Sequence, residues 1–229
     1  MSVSNALKIF SGGALRSLFS ELVPLFERTQ AATLEIEFRL SAALKRAIQN
    51  GATFDIAILP RHELDDLIAF GAIMRDSAVD MARSTVGLAV RAGAPKPDIG
   101  SVEALRRTLL QAASIAYSDG PSGAYVAALL AKLGIAEELA EKVRLTSSPV
   151  AELVARGEAE VGMQQMIAIL PVAGADLVGP LPAQLQNVII YAGGISSRAA
   201  DRAAAMAFLS FMRGTEAKQV MRAKGLEPA

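Results

Sequence analysis

The chain predicts an α/β fold on mostly parallel sheets, divided into two half-sized sheets joined by crossing strands. Three observations carry this. Short apolar runs alternate with amphipathic stretches along the chain, the βαβα order that places helices on both faces of a sheet. The run FDIAILP is apolar without alternation, as a strand covered on both faces must be. The length, 229 residues, suits two modest sheets better than one very large one.

Each element follows from its own residues. Residues 7–10 read as a strand. A helix is expected over 14–28, with Leu15, Leu18, Phe19, Leu22 and Phe26 at helical spacing. Pro24 lies inside it and should bend or interrupt it. The strand over 33–38 alternates Leu34, Ile36 and Phe38 with Glu35 and Glu37, and Gly51 stops the helix that follows over 41–50. After the strand at 54–60, short helices are expected at 64–70 and 102–110. Strands at 85–91, 114–117, 143–145 and 160–163 are interleaved with helices at 122–133 and 149–156. The stretch 91–100, RAGAPKPDIG, is the most loop-like. A strand over 187–196 carries Gly193-Gly194, read as a hinge near the second crossing or a tight turn, and helices at 198–213 and 215–224 close the chain.

Composition removes several function classes. Lys plus Arg and Asp plus Glu both number 23, so no basic surplus exists to hold nucleic acid or an acidic membrane. There are no cysteines and one histidine, His62, which excludes disulfides, thiolate chemistry and multi-histidine metal centres. No metal and no cofactor are expected. Aromatic residues make up 5% and tryptophan is absent, which disfavours a sugar-stacking site. The start, MSVSNALKIF, lacks signal-peptide features, so the expected location is periplasmic if a leader was removed and cytoplasmic otherwise. No apolar run is long enough to span a membrane.

In open α/β sheets, ligands sit beyond the carboxyl ends of strands, where helices begin. Four such junctions are rich in small or hydroxyl residues: Ser11-Gly12-Gly13, Arg39-Leu40-Ser41, Asp119-Gly120-Pro121-Ser122-Gly123 and Thr146-Ser147-Ser148. Helix N-termini offer free N–H groups and a partial positive charge, so they hold anions without formal cations. The competing reading is ordinary N-capping, and periodicity leaves both open.

Five stretches, LKIFSGGALRSLFSELVPLFER, IEFRLSAALKRAIQNGATFDIAIL, GPSGAYVAALLAKLGI, RGEAEVGMQQ and AMAFLSFMRGTEAKQVMRAKGLEP, occur in a familiar order. Together they resemble the molybdate-binding-type solute receptors of bacterial ABC transporters, across nearly the whole chain. The resemblance implies the two-lobed periplasmic-binding-protein fold (type II), each lobe a mostly parallel sheet flanked by helices. Lobe one would be 1–84 plus 194–229 and lobe two 85–193, with the ligand clamped in the cleft. It implies a monomer that binds a small anion and serves an ABC permease if periplasmic.

The family's oxyanion ring uses hydroxyls and backbone amides. By resemblance Ser41 keeps a ligand serine, Ser122 and Ser147 fall at amide contacts and Gln165 falls at a ligand tyrosine. Ser11 offers a hydroxyl three residues before the expected serine, and Gly12, Gly13 and Gly123 are added from the helix-start junctions, where glycine lets a ligand approach the backbone. This chain departs from the family where Ala14 replaces the first motif's serine and Gln165 replaces a tyrosine. Arg39 stands where a small residue is usual. A guanidinium fork matches carboxylates, and a glutamine amide suits carboxyl or hydroxyl groups. An organic di- or tricarboxylate is therefore favoured over molybdate or tungstate. The alternative for Arg39 is a surface pair with Glu37 or Glu35.

The same broad family includes an isomerase that moves a double bond in aconitate by allylic proton transfer. That reading needs a proton-transfer group, and His62, at the end of a central strand, is the first candidate base. Tyr117 and Asp119 are weaker ones. A LysR-type effector domain shares the fold but is normally fused to a DNA-binding segment, for which residues before Leu7 leave no room. Met163 and Met166 read as core filling, and the charges of ILPRHELDDL as a solvated helix face.

Overall fold

The computed structural model describes residues 6–29, 32–119 and 121–229. Gly120, part of the third junction, and the first five residues, where leader features were sought, lie outside the described residues. The chain separates into two compact units, Met1–Arg83 with Ile189–Ala229, and Ser84–Val188.

The first unit begins with β1 (Leu7–Gly12), a short 3-10 turn and α1 (Arg16–Thr29), then β2 (Leu34–Arg39), α2 (Ser41–Gln49), β3 (Ile56–Pro60), α3 (Arg61–Ala69) and β4 (Val79–Ser84), whose last residue, Ser84, already belongs to the second unit. The second unit contains β5 (Val86–Arg91), α4 (Val102–Gln111), β6 (Ile115–Ser118), α5 (Pro121–Lys132), α6 (Ala136–Leu139), β7 (Val143–Thr146), α7 (Val150–Arg156), β8 (Val161–Gln165), α8 (Met166–Ile169) and β9 (Ala175–Pro180). The chain then completes the first unit with β10 (Ile189–Ile195), α9 (Arg202–Met212), α10 (Thr215–Ala223) and β11 (Leu226–Pro228).

The first sheet runs β11-β4-β10-β3-β1-β2 and the second β7-β6-β8-β5-β9. Each holds a parallel core, β2-β1-β3 in the first and β7-β6-β8 in the second. Antiparallel pairings join β10 to β3, β5 to β8 and β9 to β5. Among the parallel strands, β1, β3 and β8 are almost wholly buried, as strands covered by helices on both faces require, whereas the edge strands β2 and β7 are partly exposed.

In the first unit Leu18, Phe19, Leu22 and Phe26 form the buried stripe of α1. Phe26 meets Phe208 and Phe211 of α9 edge-on, at 5.2 and 5.3 Å between ring centroids. The core of the second unit gathers Leu88, Leu105, Leu109, Ile115, Val126 and Met163. Met163 is thus core filling, as read from the sequence.

Several expectations are corrected. Pro24 does not interrupt α1, because it and Ser20, whose carbonyl it leaves free, lie on the exposed face and water can serve that carbonyl. The helix expected from 198 starts at Arg202, where the Asp201 carboxylate accepts from Ala204 N at 2.9 Å and fixes the start. Gly193 and Gly194 form no tight turn. They lie inside β10, where a Cβ on Gly193 would come 2.7 Å from Leu209 and one on Gly194 2.6 Å from Ile73. These glycines let side chains press against both faces of the strand.

Candidate functional site

In the first unit, β1 and β2 end side by side, with Gly12 opposite Arg39. The backbone at Gly12 has φ −57° and ψ 134°, which any residue adopts, so its glycine is not required by conformation. What it provides is room for a neighbouring side chain. A Cβ there would lie 2.9 Å from the Ser41 hydroxyl and 4.0 Å from Cε1 of Tyr191. Gly13 is exposed, and a Cβ on it would meet only the Arg39 carbonyl, at 3.6 Å. Of the two glycines, only Gly12 has a side chain this close.

Ser41 is the first residue of α2 and not its cap. The cap position is Leu40, which contributes no side-chain hydrogen bond and is 82% exposed. The ordinary capping explanation therefore fails for Ser41, whose hydroxyl is turned toward Gly12. Ser11 is fully buried, and its hydroxyl makes a long 3.4 Å contact to the Gly12 carbonyl. Arg39 is exposed and its Nε donates to Glu37 at 2.5 Å, the pairing weighed against a ligand role.

Sequence reasoning missed Tyr191. It stands early in β10, opposite Pro60 of β3. Because β10 runs antiparallel, its beginning lies at the edge where β1, β2 and β3 end. Burial pushes the Tyr191 phenol up to about 12, so it stays a neutral O–H donor. The signal was the strand direction, which a mostly parallel reading hides.

The same edge carries His62, whose side chain is 79% exposed and 3.9 Å from Glu63. Glu63, in the first turn of α3, was read as part of a solvated face and is not. Its side chain is only 15% exposed, and Oε2 is buried with no hydrogen-bond partner among the described residues. Burial raises its carboxyl above the usual range, against the lowering pull of His62 and Lys45. The charges Arg61, Asp65 and Asp66 of ILPRHELDDL are in surface ion pairs: Arg61 bonds Asp65 and Asp80, each at 2.9 Å, and Lys45 bonds Asp66.

In the second unit, α5 starts hard against the end of β6. A Cβ on Gly123 would fall 1.5 Å from the Ser118 carbonyl oxygen, so only glycine lets the helix approach. The hydroxyls of Ser118 and Ser122 lie 2.9 Å apart. Ser147 is exposed in the turn after β7, where Ser148 N donates to Thr146 Oγ1 at 2.9 Å. Tyr117 is buried in the core and Asp119 is exposed.

β8 ends on two buried glutamines, Gln164 and Gln165, 7% and 8% exposed. The Gln164 carbonyl accepts from Val150 N at 2.9 Å, and the Gln165 carbonyl accepts from the Ser84 hydroxyl at 2.5 Å. Both Nε2 atoms are buried without a partner among the described residues. Ser84, itself 0% exposed, is a second residue that sequence reasoning missed.

A cavity of about 330 Å³ in the first unit lies at the other edge of the sheet, between the ends of α2 and α3, with Phe54, Phe70 and Arg198 in its wall. None of the expected site residues lines it. Among the described residues, no group of three or more acidic or histidine side chains could hold a metal, and no helix is long and apolar enough to cross a membrane.

Comparison with known proteins places these features in context. The sequence profile of the family described as bacterial extracellular solute-binding protein matches residues 7–227. An aconitate isomerase from a Pseudomonas species is 33% identical over 97% of this chain and 87% of its own length. Among solved structures, the substrate binding domain assigned to a molybdenum ABC transporter of Clostridium difficile superposes with a TM-score of 0.84, covering 98% of this chain and 99% of that one at 17% identity. The periplasmic molybdate-binding protein of Azotobacter vinelandii gives 0.75, covering 96% of this chain and 98% of that one at 21% identity.

Proposed function

The chain belongs to the bacterial extracellular solute-binding protein family, and from that premise we propose that it binds a small organic di- or tricarboxylate. The observation that carries the anion reading is the start of α2. Leu40 leaves the helix without a side-chain cap, and Gly12 makes room for the Ser41 hydroxyl beside it. Free amides at a helix start, a hydroxyl and the neutral Tyr191 phenol form a donor-rich edge in a chain with no net charge. Ser11, Gly13 and Arg39 are the further proposed contributors in this unit.

In the second unit Ser122, Gly123, Ser147 and Gln165 are the proposed contributors. Two things favour carboxylate over molybdate: the identity to a protein named for aconitate, and a buried amide at Gln165. A receptor of this kind would deliver its ligand to an ABC permease outside the cytoplasmic membrane. Calorimetric titration with citrate, trans-aconitate and tricarballylate, beside molybdate and sulfate, tests the reading. Binding of molybdate alone would overturn the carboxylate class, and binding of none would overturn the anion reading.

The same relative favours a second reading, an isomerase acting on a tricarboxylate. Shifting a double bond takes one proton from a carbon and returns one to another, so the protein needs a base and no redox partner. His62 and Glu63 stand at the carboxyl edge of the first sheet and are the groups to test. Proton NMR of aconitate incubated with the protein would follow the vinyl protons. Conversion that disappears in His62→Ala or Glu63→Gln would replace the receptor reading, and no conversion would remove the isomerase.

A further inference from the structure

We infer that Ser84 is a positioning residue that locks the Gln165 amide so that only its N–H donors remain to read the ligand, making this position selective for acceptor-only groups such as an ionised carboxylate. The inference deepens the anion reading and rests on it. A free glutamine amide is ambivalent: turned one way it donates two hydrogen bonds, turned the other it accepts them. Here the choice is made by a neighbour. The Ser84 hydroxyl donates to Gln165 Oε1 at 2.5 Å, and both residues are buried, at 0% and 8% exposure. Turned over, the amide would donate to the serine oxygen, but the serine's own hydrogen would lose the acceptor it has among the described residues and the buried carbonyl would be stranded.

The lock leaves Nε2 with two N–H groups and no partner among the described residues. An unpaired buried donor carries a desolvation cost, so a native fold keeps one only where something else supplies the acceptor. Gln165 is the last residue of β8, one of the three parallel strands of the second sheet, whose carboxyl ends form the ligand-side edge of such a fold. A ligand carboxylate supplies acceptors and no donors, which is the chemistry the locked amide lacks.

The test uses the full chain and trans-aconitate as probe, followed by calorimetry, with thermal melts to report folding. Gln165→Glu keeps the shape and exchanges donors for a charge that repels the ligand, so affinity should fall about a hundredfold. Ser84→Ala frees the amide to turn over and should cost about three- to tenfold, whereas Ser84→Thr keeps the hydroxyl and should recover wild-type affinity within about twofold. Lowered melting temperatures with unchanged trans-aconitate affinity in Gln165→Glu and Ser84→Ala would overturn the inference and make the pair structural, its donor served by buried water. That result leaves the anion reading standing. Failure of the wild-type chain to bind any carboxylate would instead overturn the carboxylate reading first and the inference with it.

Discussion

Gly12 and Ser41 are packed so closely that a single methyl group on the glycine would come 2.9 Å from the serine hydroxyl. The contact atom is the end of a rotatable side chain, so Gly12→Ala should displace the hydroxyl rather than break the fold. We expect anion affinity to fall about tenfold while stability drops by about 1 kcal/mol or less. Titration and thermal melting of the same preparation check both halves. A variant that binds like wild type would take Ser41 out of the site.

Arg39 separates affinity from stability in the same way. Its pair with Glu37 is exposed, and such pairs contribute about 0–1 kcal/mol to folding. Arg39→Ala should therefore barely shift the melting curve. If the guanidinium trades Glu37 for a ligand carboxylate, the variant loses about 1.5–3 kcal/mol of binding, the scale of a charge-assisted hydrogen bond. Glu37→Gln releases the competitor and should tighten binding. Unchanged affinity in both variants would make the pair a surface feature only.

Gly123 has no such slack. Its Cβ would sit 1.5 Å from a backbone oxygen, and neither α5 nor β6 can retreat without moving packed core. Gly123→Ala should cost about 3 kcal/mol or more, read as a drop in the urea midpoint. A midpoint near wild type would mean that the start of α5 is not seated on Ser118.

How much of this was legible follows from what a pattern can encode. Apolar runs and helical spacing are local, so β1, β3, α1 and α2 stand where the residues placed them. β4 and β9 went unread because their sides are partly exposed and their apolar residues are interrupted by Asp80, Arg83, Asp176 and Gly179. Gly12, Ser41 and Gln165 were named as site positions from the sequence. Tyr191 and Ser84, proposed beside them, were not, since each is brought there by a partner far along the chain and, for Tyr191, by strand direction. Glu63 looked like one of several surface charges. A helix written in charges does not disclose which of them turns inward.

That inward turn gives Glu63 a pH signature. Its carboxyl is held above the usual glutamate range by burial, so the neutral form suits the fold and ionisation costs it. For a raised carboxyl pKa, the favourable contribution is present below the ordinary glutamate value and is lost as pH rises through the folded one. Glu63→Gln removes the charge and keeps the shape. Its melting temperature should match wild type at acidic pH and exceed it at neutral pH by on the order of 2 °C. Lys45 lowers the Asp66 carboxyl in both proteins, so that pair cancels in the difference. A constant offset at every pH would show that Glu63 ionises freely.

Tyr191 gives the complementary test on a donor. The ring lies beside Gly12, and burial keeps the phenol protonated to about 12. Tyr191→Phe should lower carboxylate affinity by about three- to tenfold, the worth of one neutral hydrogen bond to a charged acceptor, with little change in stability at neutral pH. In alkali the order of stabilities changes. A raised phenol pKa contributes stability below the unfolded value, near 10, and that stability is lost as pH rises through the folded value. Wild type should therefore weaken above about pH 10 while the phenylalanine variant, with no phenol to ionise there, weakens less. Urea midpoints on either side of that pH, with titrations at neutral pH, separate the two roles. Equal affinities would leave the phenol a buried structural group and return the donor role at that edge to Ser41 and the amides of α2.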